Sequence, residues 1–131
     1  MQRSLSVLLP VKDVQATLTA SVHDILELVA DSIDRFEVLI VDDGSTDATS
    51  EVAHELTRHY PQVRVVRHGT SLGREAAIRT GLSRSQGDVV VMRDENTGFR
   101  ILQHRPPTKH TPSRPTRPNY LSRLRGFVLS E

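Results

Sequence analysis

A chain of 131 residues holds one domain at most. With 37% hydrophobic and 25% charged residues, no cysteine and no tryptophan, its core must be built from Val, Leu, Ile and Ala, and disulfides and thiolate metal ligands are excluded. The net charge of +1 conceals a split: seven Lys/Arg against one acid from Arg100 to Glu131, but ten against fifteen before it, so two kinds of sequence meet near Phe99.

Leu5 to Leu9 reads as a short apolar strand, closed by Pro10. A helix follows, because Val14, Leu18, Val22, Ile25, Leu26 and Val29 recur at steps of three and four and share a face. Phe36 to Val41 is a second strand, and Asp42 to Asp47 its exit loop, in which Ser45 or Thr46 is placed to cap the next helix. Ala48, Val52, Ala53, Leu56 and Tyr60 line one side of that helix, and Pro61 stops it. Val63 to Val66 alternates weakly with arginine and suits a strand near the sheet edge. His68 to Gly73 is a loop, Arg74 to Ser85 a helix carrying Ala77, Ile78 and Leu82, and Asp88 to Met92 a fourth strand that ends beside Asp94, Glu95 and Asn96.

This β-α-β-α-β-α-β order predicts an α/β fold: a Rossmann-like three-layer sandwich with a mainly parallel four-stranded sheet and right-handed crossovers. From about Phe99 the pattern breaks. Five prolines between His104 and Pro118 deny donors to a helix or central strand, and residues 103 to 119 read as extended or disordered. Tyr120 to Leu129 suits one short helix or strand. The expected division is therefore a domain over 1–98 and a basic, proline-rich tail over 99–131. No run approaches the roughly 20 apolar residues of a membrane span, and the N-terminus has no signal-peptide layout. The expected location is cytoplasmic, compatible with the cytoplasmic face of a membrane.

Two acidic groups carry the chemistry. Asp42-Asp43, with Asp47 behind, follow a buried strand, where adjacent carboxylates are tolerated if a ligand or cation meets them. A carboxylate there is also the natural acceptor for a uracil imide or a ribose hydroxyl. The plain alternative is a solvated turn in which Asp42 or Asp43 merely caps. Asp94-Glu95-Asn96 ends a strand parallel to the first, so both groups point to one sheet edge; oxygen ligands of this kind suit Mg²⁺ or Mn²⁺ when a diphosphate completes the shell. An exposed acidic turn is the plain alternative here too. In the loop Ser71-Leu72-Gly73-Arg74, the glycine permits close backbone approach and Arg74 can meet an anion, although an arginine in a first helical turn is more often a solvated surface residue. The six histidines lack metal-ligand spacing, His68 alone lying near the ligand edge; G-x-S-x-G, the Walker lysine loop and G-x-G-x-x-G are all missing.

Four blocks, Ser6-Val7-Leu8-Leu9-Pro10-Val11, Val38 to Asp47, Ser71 to Leu82 and Gly87 to Asn96, resemble in order and spacing the family 2 inverting glycosyltransferases of the GT-A fold, over roughly residues 4 to 98. The resemblance implies a nucleotide-sugar site. Pro10 and Val11 would line the nucleoside pocket, Asp42 and Asp43 would meet base and ribose, and Arg74 would lie near the same pocket. Asp94 and Asn96 take the outer positions of the family's metal-binding D-x-D, Asp94 also meeting the donor. Asn96 stands where the family usually has a second Asp, and Lys12-Asp13-Val14 stands where its first strand exit reads like Y-N-E. The family's acceptor half, with its general base, has no counterpart, and the catalytic residue is unknown; a shifted frame or shortened gene is one reading of that ending.

The leading expectation is a truncated, glycosyltransferase-like protein binding a UDP- or GDP-linked sugar with Mg²⁺ or Mn²⁺ for inverting transfer to an unknown acceptor. The alternative is a non-catalytic nucleotide-binding or homo-oligomerising module, its unpaired sheet edge or its tail providing a route to a homodimer. A phosphoacceptor receiver is disfavoured because the acids follow strand two and no later lysine is available. Specific nucleic-acid binding is not expected of a tail with so few aromatics.

Overall fold

The structure, a computed structural model, describes residues 4–94, 98–104 and 129–130. In chain order the elements are β1 (Leu5–Val11), α1 (Leu18–Ala30), β2 (Phe36–Asp42), α2 (Thr49–His59), β3 (Val63–Arg67), α3 (Arg74–Arg84), β4 (Val89–Asp94), β5 (Gly98–His104) and β6 (Leu129–Ser130). They form one sheet in the order β3-β2-β1-β4-β5-β6. β1 pairs in parallel with both β2 and β4, and β2 with β3.

Three inner strands, β2, β1 and β4, read as nearly continuous apolar runs because both of their faces are covered. Leu5, Val7, Leu9, Val38, Ile40, Val89 and Val91 pack beneath α1 and α2, which contribute Leu18, Val22, Ile25, Val29, Ala53 and Leu56. The alternate residues Leu8, Leu39, Val41 and Val90 face α3 through Ala77. Gly81 lets α3 come this close, since a Cβ there would sit 2.7 Å from Leu8 Cδ1. The chain winds outward from β1 through β2 to β3 and then crosses back over α3 to β4. That reversal makes the β1/β4 boundary a topological switch point, and ligands of open α/β sheets bind outside the carboxyl ends of strands at such a point.

The four parallel strands form around the apolar runs, with β3 at the sheet edge, but Pro10 does not close the first: β1 continues through Pro10 to Val11, both in register with β2. The sheet nevertheless continues past four strands. β5 pairs antiparallel with β4 over Gly98–His104, and β6 pairs in parallel with β5. Phe99 is fully buried in the α1-side cluster, with Ile101 packed against it. The break in composition near Phe99 is thus not a break in the sheet. A strand beyond the parallel core needs only alternating apolar residues, and Phe99 and Ile101 supply them while Arg100 faces solvent.

Two helix starts also differ from the pattern. α1 begins at Leu18, Val14 being held in a preceding turn by Thr17 N–H and Leu18 N–H donating to its carbonyl. α2 begins at Thr49, and neither Ser45 nor Thr46 caps it; Asp47 accepts the Thr49 N–H at 2.8 Å instead. Of the stretch 103 to 119 expected to be extended or disordered, Gln103 and His104 belong to β5; residues 105–119, and 120–128 of the last expected element, lie outside the described residues. Among the described residues no helix is long and apolar enough to cross a membrane.

Candidate functional site

β2 delivers Asp42 and Asp43 to the carboxyl edge of the sheet, where Asp42 stands in register with Val11 at the end of β1. Asp94 ends β4 on the other side of β1, on the same edge, since all three strands run parallel. The acid-bearing ends of β2 and β4 are thus two strand spacings apart, about 10 Å. Glu95 and Asn96 lie outside the described residues.

The paired acids have different environments. Asp42 is fully buried. Its Oδ1 accepts the Ser45 N–H at 3.0 Å and the Ser45 hydroxyl at 2.6 Å, folding the exit loop back on the strand. Its Oδ2 accepts no hydrogen bond and is balanced by charge alone, Arg67 Nε lying 3.6 Å away. Asp42 is thus neither solvated nor a helix cap: it is buried and pins Ser45 of the exit loop, while α2 starts four residues further on.

Asp43 is the acid that reaches the cleft, and it is also the better satisfied. Its Oδ1 accepts from His68 Nδ1 at 2.8 Å and from the Leu72 N–H at 2.8 Å. Its Oδ2 accepts from the Ser71 hydroxyl at 2.9 Å and the Gly73 N–H at 3.0 Å. Burial pushes the carboxyl up, but the bonds from His68, Leu72, Gly73 and Ser71 outweigh it and hold Asp43 well below the usual carboxylate range. A carboxylate only accepts, so His68 Nδ1 carries the proton, and in the neutral ring Nε2 accepts from the Thr80 hydroxyl 2.8 Å away. One line of groups, buried at Asp43 and His68 and half-buried at Thr80, thus joins the exit of β2, the end of β3 and α3.

A second set of bonds locks the β1 exit to the β2 exit. Asp13, at φ +53°, accepts the Thr46 N–H at 2.7 Å and the Asp47 N–H at 3.3 Å. Ser45 Oγ accepts the Asp13 N–H, and Thr49 Oγ1 the Val14 N–H, both at 2.8 Å. Gln15 Oε1 accepts the Ala48 N–H at 2.8 Å. Asp47 is held below the usual carboxylate range chiefly by the Thr49 hydroxyl, against a smaller opposing effect of burial. Gly44 completes the assembly at φ +68°, with the next loop so close that a Cβ would lie 2.5 Å from Ser71 N.

Between these loops lies a cleft of about 380 Å³ lined by Pro10, Val11, Lys12, Asp43, Ser71 and Arg74, among others. Of the residues expected at a nucleotide-sugar site, Pro10, Val11, Asp43 and Arg74 therefore share one space. Asp42 lies behind it, packed away from solvent. Arg74 reaches back toward β4, its Nη2 4.0 Å from Met92 Sδ. A second cleft of about 310 Å³ adjoins the first through Pro10, Val11, Val14 and Arg74 and extends to Arg93, which pairs with Asp24 at 2.8 Å. Among the described residues no three His, Cys, Asp or Glu converge as metal ligands.

Sequence reasoning placed His68 only loosely, named Asp13 and Ser71 as loop residues without a role of their own, and gave none to Thr80. Single polar residues in loops carry no periodicity, and their partners lie 12 to 33 residues away. The one available signal was the run Asp42-Asp43 itself, which requires nearby donors if either acid is buried.

The fold is a Rossmann-like α/β sandwich with its cleft at the switch point of a mostly parallel sheet. Residues 6–95 match the domain described as Glycosyl transferase family 2, and the chain belongs to that family. It is 32% identical over 99 residues to dolichyl-phosphate beta-glucosyltransferase of Homo sapiens, covering 70% of this chain and 31% of that protein. A shorter stretch of 59 residues, 44% of this chain and 12% of the relative, is 48% identical to beta-monoglucosyldiacylglycerol synthase of Synechocystis sp.. Among solved structures, glucosyl-3-phosphoglycerate synthase of Mycobacterium tuberculosis, in complex with Mn²⁺, UDP and phosphoglyceric acid, aligns with a TM-score of 0.57 at 30% identity, over 72% of this chain and 34% of that one. The mannosyltransferase PcManGT of Pyrobaculum calidifontis, in complex with GDP-Man and Mn²⁺, shares the fold with a TM-score of 0.65 at 23% identity, over 74% and 28%. The chain thus spans between 12% and 34% of the length of these proteins.

Proposed function

We propose that this chain is the donor-binding half of a glycosyltransferase, taking a UDP- or GDP-linked sugar together with Mg²⁺ or Mn²⁺. The observation that carries the reading is the shared cleft: an apolar wall from Pro10 and Val11, an anionic acceptor in Asp43 and a cation in Arg74, at the switch point of the sheet. The apolar wall suits a nucleoside ring, and Arg74 on the rim suits a phosphate oxygen. Asp42 supports the loop from behind.

Asp94 is the metal ligand this reading requires, with Asn96 as the second oxygen donor; hard oxygen donors suit Mg²⁺ or Mn²⁺, for which one or two protein ligands suffice when a diphosphate provides others. Such an ion, when bound, stabilises the charge on a leaving diphosphate. Two solved relatives bound to Mn²⁺ with GDP-Man or with UDP support this choice. Transfer would be a single inverting displacement, with no described residue assigned as its base.

Calorimetric titration with UDP- and GDP-sugars, with and without Mn²⁺, tests the reading. The expected result is Mn²⁺-dependent binding that weakens at least about tenfold in Asp94→Ala. No heat with any of these donors at millimolar concentration overturns it. Binding without donor hydrolysis or transfer identifies the alternative, a nucleotide-binding module that does not turn over.

A further inference from the structure

We propose that the Ser71 hydroxyl competes with the incoming nucleobase for Asp43 Oδ2, so that rotation of this one side chain gates base recognition. The inference rests on reading the cleft as a nucleoside site.

Asp43 is the carboxylate lining that cleft, and four donors already hold its two oxygens, two on each. A carboxylate has about four lone-pair positions, so an approaching base N–H finds none unshared. Recognition through Asp43 therefore requires one donor to leave. The four are not equally free to do so. Leu72 N–H and Gly73 N–H belong to the backbone that opens α3, where Gly73 sits at φ +102°. His68 is buried and tied at its other nitrogen to Thr80. Removing it would take one of two donors from the buried Asp43 Oδ1 and break the bond to the half-buried Thr80 as well, two losses for one vacated position. Ser71 is exposed, itself lines the cleft, and holds Asp43 only through a hydroxyl that a single χ1 rotation withdraws. In water that hydroxyl is resolvated at once, so its departure costs least.

The exchange is local. Gly73 N–H and both Oδ1 donors stay in place, so Asp43 remains anionic and aimed. One vacated position on Oδ2 suits a base offering one ring N–H, as the uracil imide does. UDP is therefore the probe.

Titration of the full chain, its Ser71→Ala variant and its Ser71→Thr variant with UDP and Mn²⁺ tests the proposal. Removing the competitor is expected to tighten UDP about fivefold in Ser71→Ala. Ser71→Thr keeps the hydroxyl and is expected to bind like the parent. Amide hydrogen exchange in the parent is expected to show Leu72 and Gly73 protected both with and without UDP. Unchanged or weaker binding by Ser71→Ala, beside measurable binding by the parent, overturns the competition and leaves the donor-site reading standing. Loss of Gly73 protection on UDP addition also overturns it, since the backbone donor would then be the one displaced. Absence of UDP binding in all three proteins overturns the competition, and absence of GDP binding in a parallel titration with Mn²⁺ overturns the donor-site reading with it.

Discussion

His68 Nδ1 donates to Asp43 Oδ1 across 2.8 Å, although 25 residues separate them in the chain. The bond ties the end of β3 to the exit of β2, and the Thr80 hydroxyl extends the tie to α3. The carboxylate lining the cleft is thus part of the framework that shapes the cleft. Binding and folding share a residue here, and their tests must be separated by readout.

Asp43 makes stability depend on acid. Its folded-state pKa is held below the ordinary 3.8, so its contribution is complete above that value and drains away as pH falls through 3.8 toward the folded-state pKa. Asp43→Asn loses the charge and presents an NH₂ to groups that are themselves donors. We expect it to cost about 2 kcal/mol or more at pH 7. Its urea midpoint should also change less than the parent's between pH 5 and pH 2. A variant that tracks the parent's acid sensitivity would show that other carboxyls set it.

Gly44 cannot carry a side chain. At φ +68° an L-residue is strained, and a Cβ would lie 2.5 Å from Ser71 N and 2.6 Å from Thr70 C, both backbone atoms that cannot rotate aside. Gly44→Ala is expected to destabilise by about 2 kcal/mol or more and to weaken nucleotide binding, because it pushes the loop carrying Asp43's donors outward. Thermal unfolding and the same titration measure the two effects.

Asp13 holds a position at φ +53° that most residues resist, and its carboxylate takes the Thr46 N–H at 2.7 Å. Asp13→Ala removes the acceptor and keeps the strain, at an expected cost of about 1 kcal/mol. Asp13→Asn keeps both an acceptor oxygen and tolerance of the left-handed region and should recover most of that loss. Equal losses in the two variants, by chemical denaturation, would rule out the hydrogen bond as the cause.

Phe99 tests where the fold stops. Its ring is fully buried on the α1 side, with the Arg93 guanidinium 5.1 Å from its centroid. Phe99→Ala should cost about 3–5 kcal/mol. A chain cut after residue 98 should fare worse, losing β5 and exposing the edge of β4. A cooperatively unfolding fragment 1–98 of parental stability would show that the 1–98 division is the real one.

The central sheet was legible in the residue pattern for a simple reason. Leu5 to Leu9, Phe36 to Val41 and Val89 to Met92 are buried by helices on both faces or nearly so, and burial on both sides imposes an unbroken apolar run. The run ending in Asp42-Asp43-Gly44 likewise announced a loop at the carboxyl edge, and with it the neighbourhood of the cleft. Other features needed three dimensions. Nothing local distinguishes Asp42, buried behind the loop, from Asp43, which lines the cleft, because adjacent residues point to opposite sides of the backbone and only the packing says which side is open. His68, Ser71 and Thr80 became partners of one site because β3 and α3 carry them there, and hydrogen bonds reach about 3 Å regardless of how much chain lies between. β5 escaped the pattern for a related reason: two inward-facing residues sufficed to attach it to a sheet that already existed.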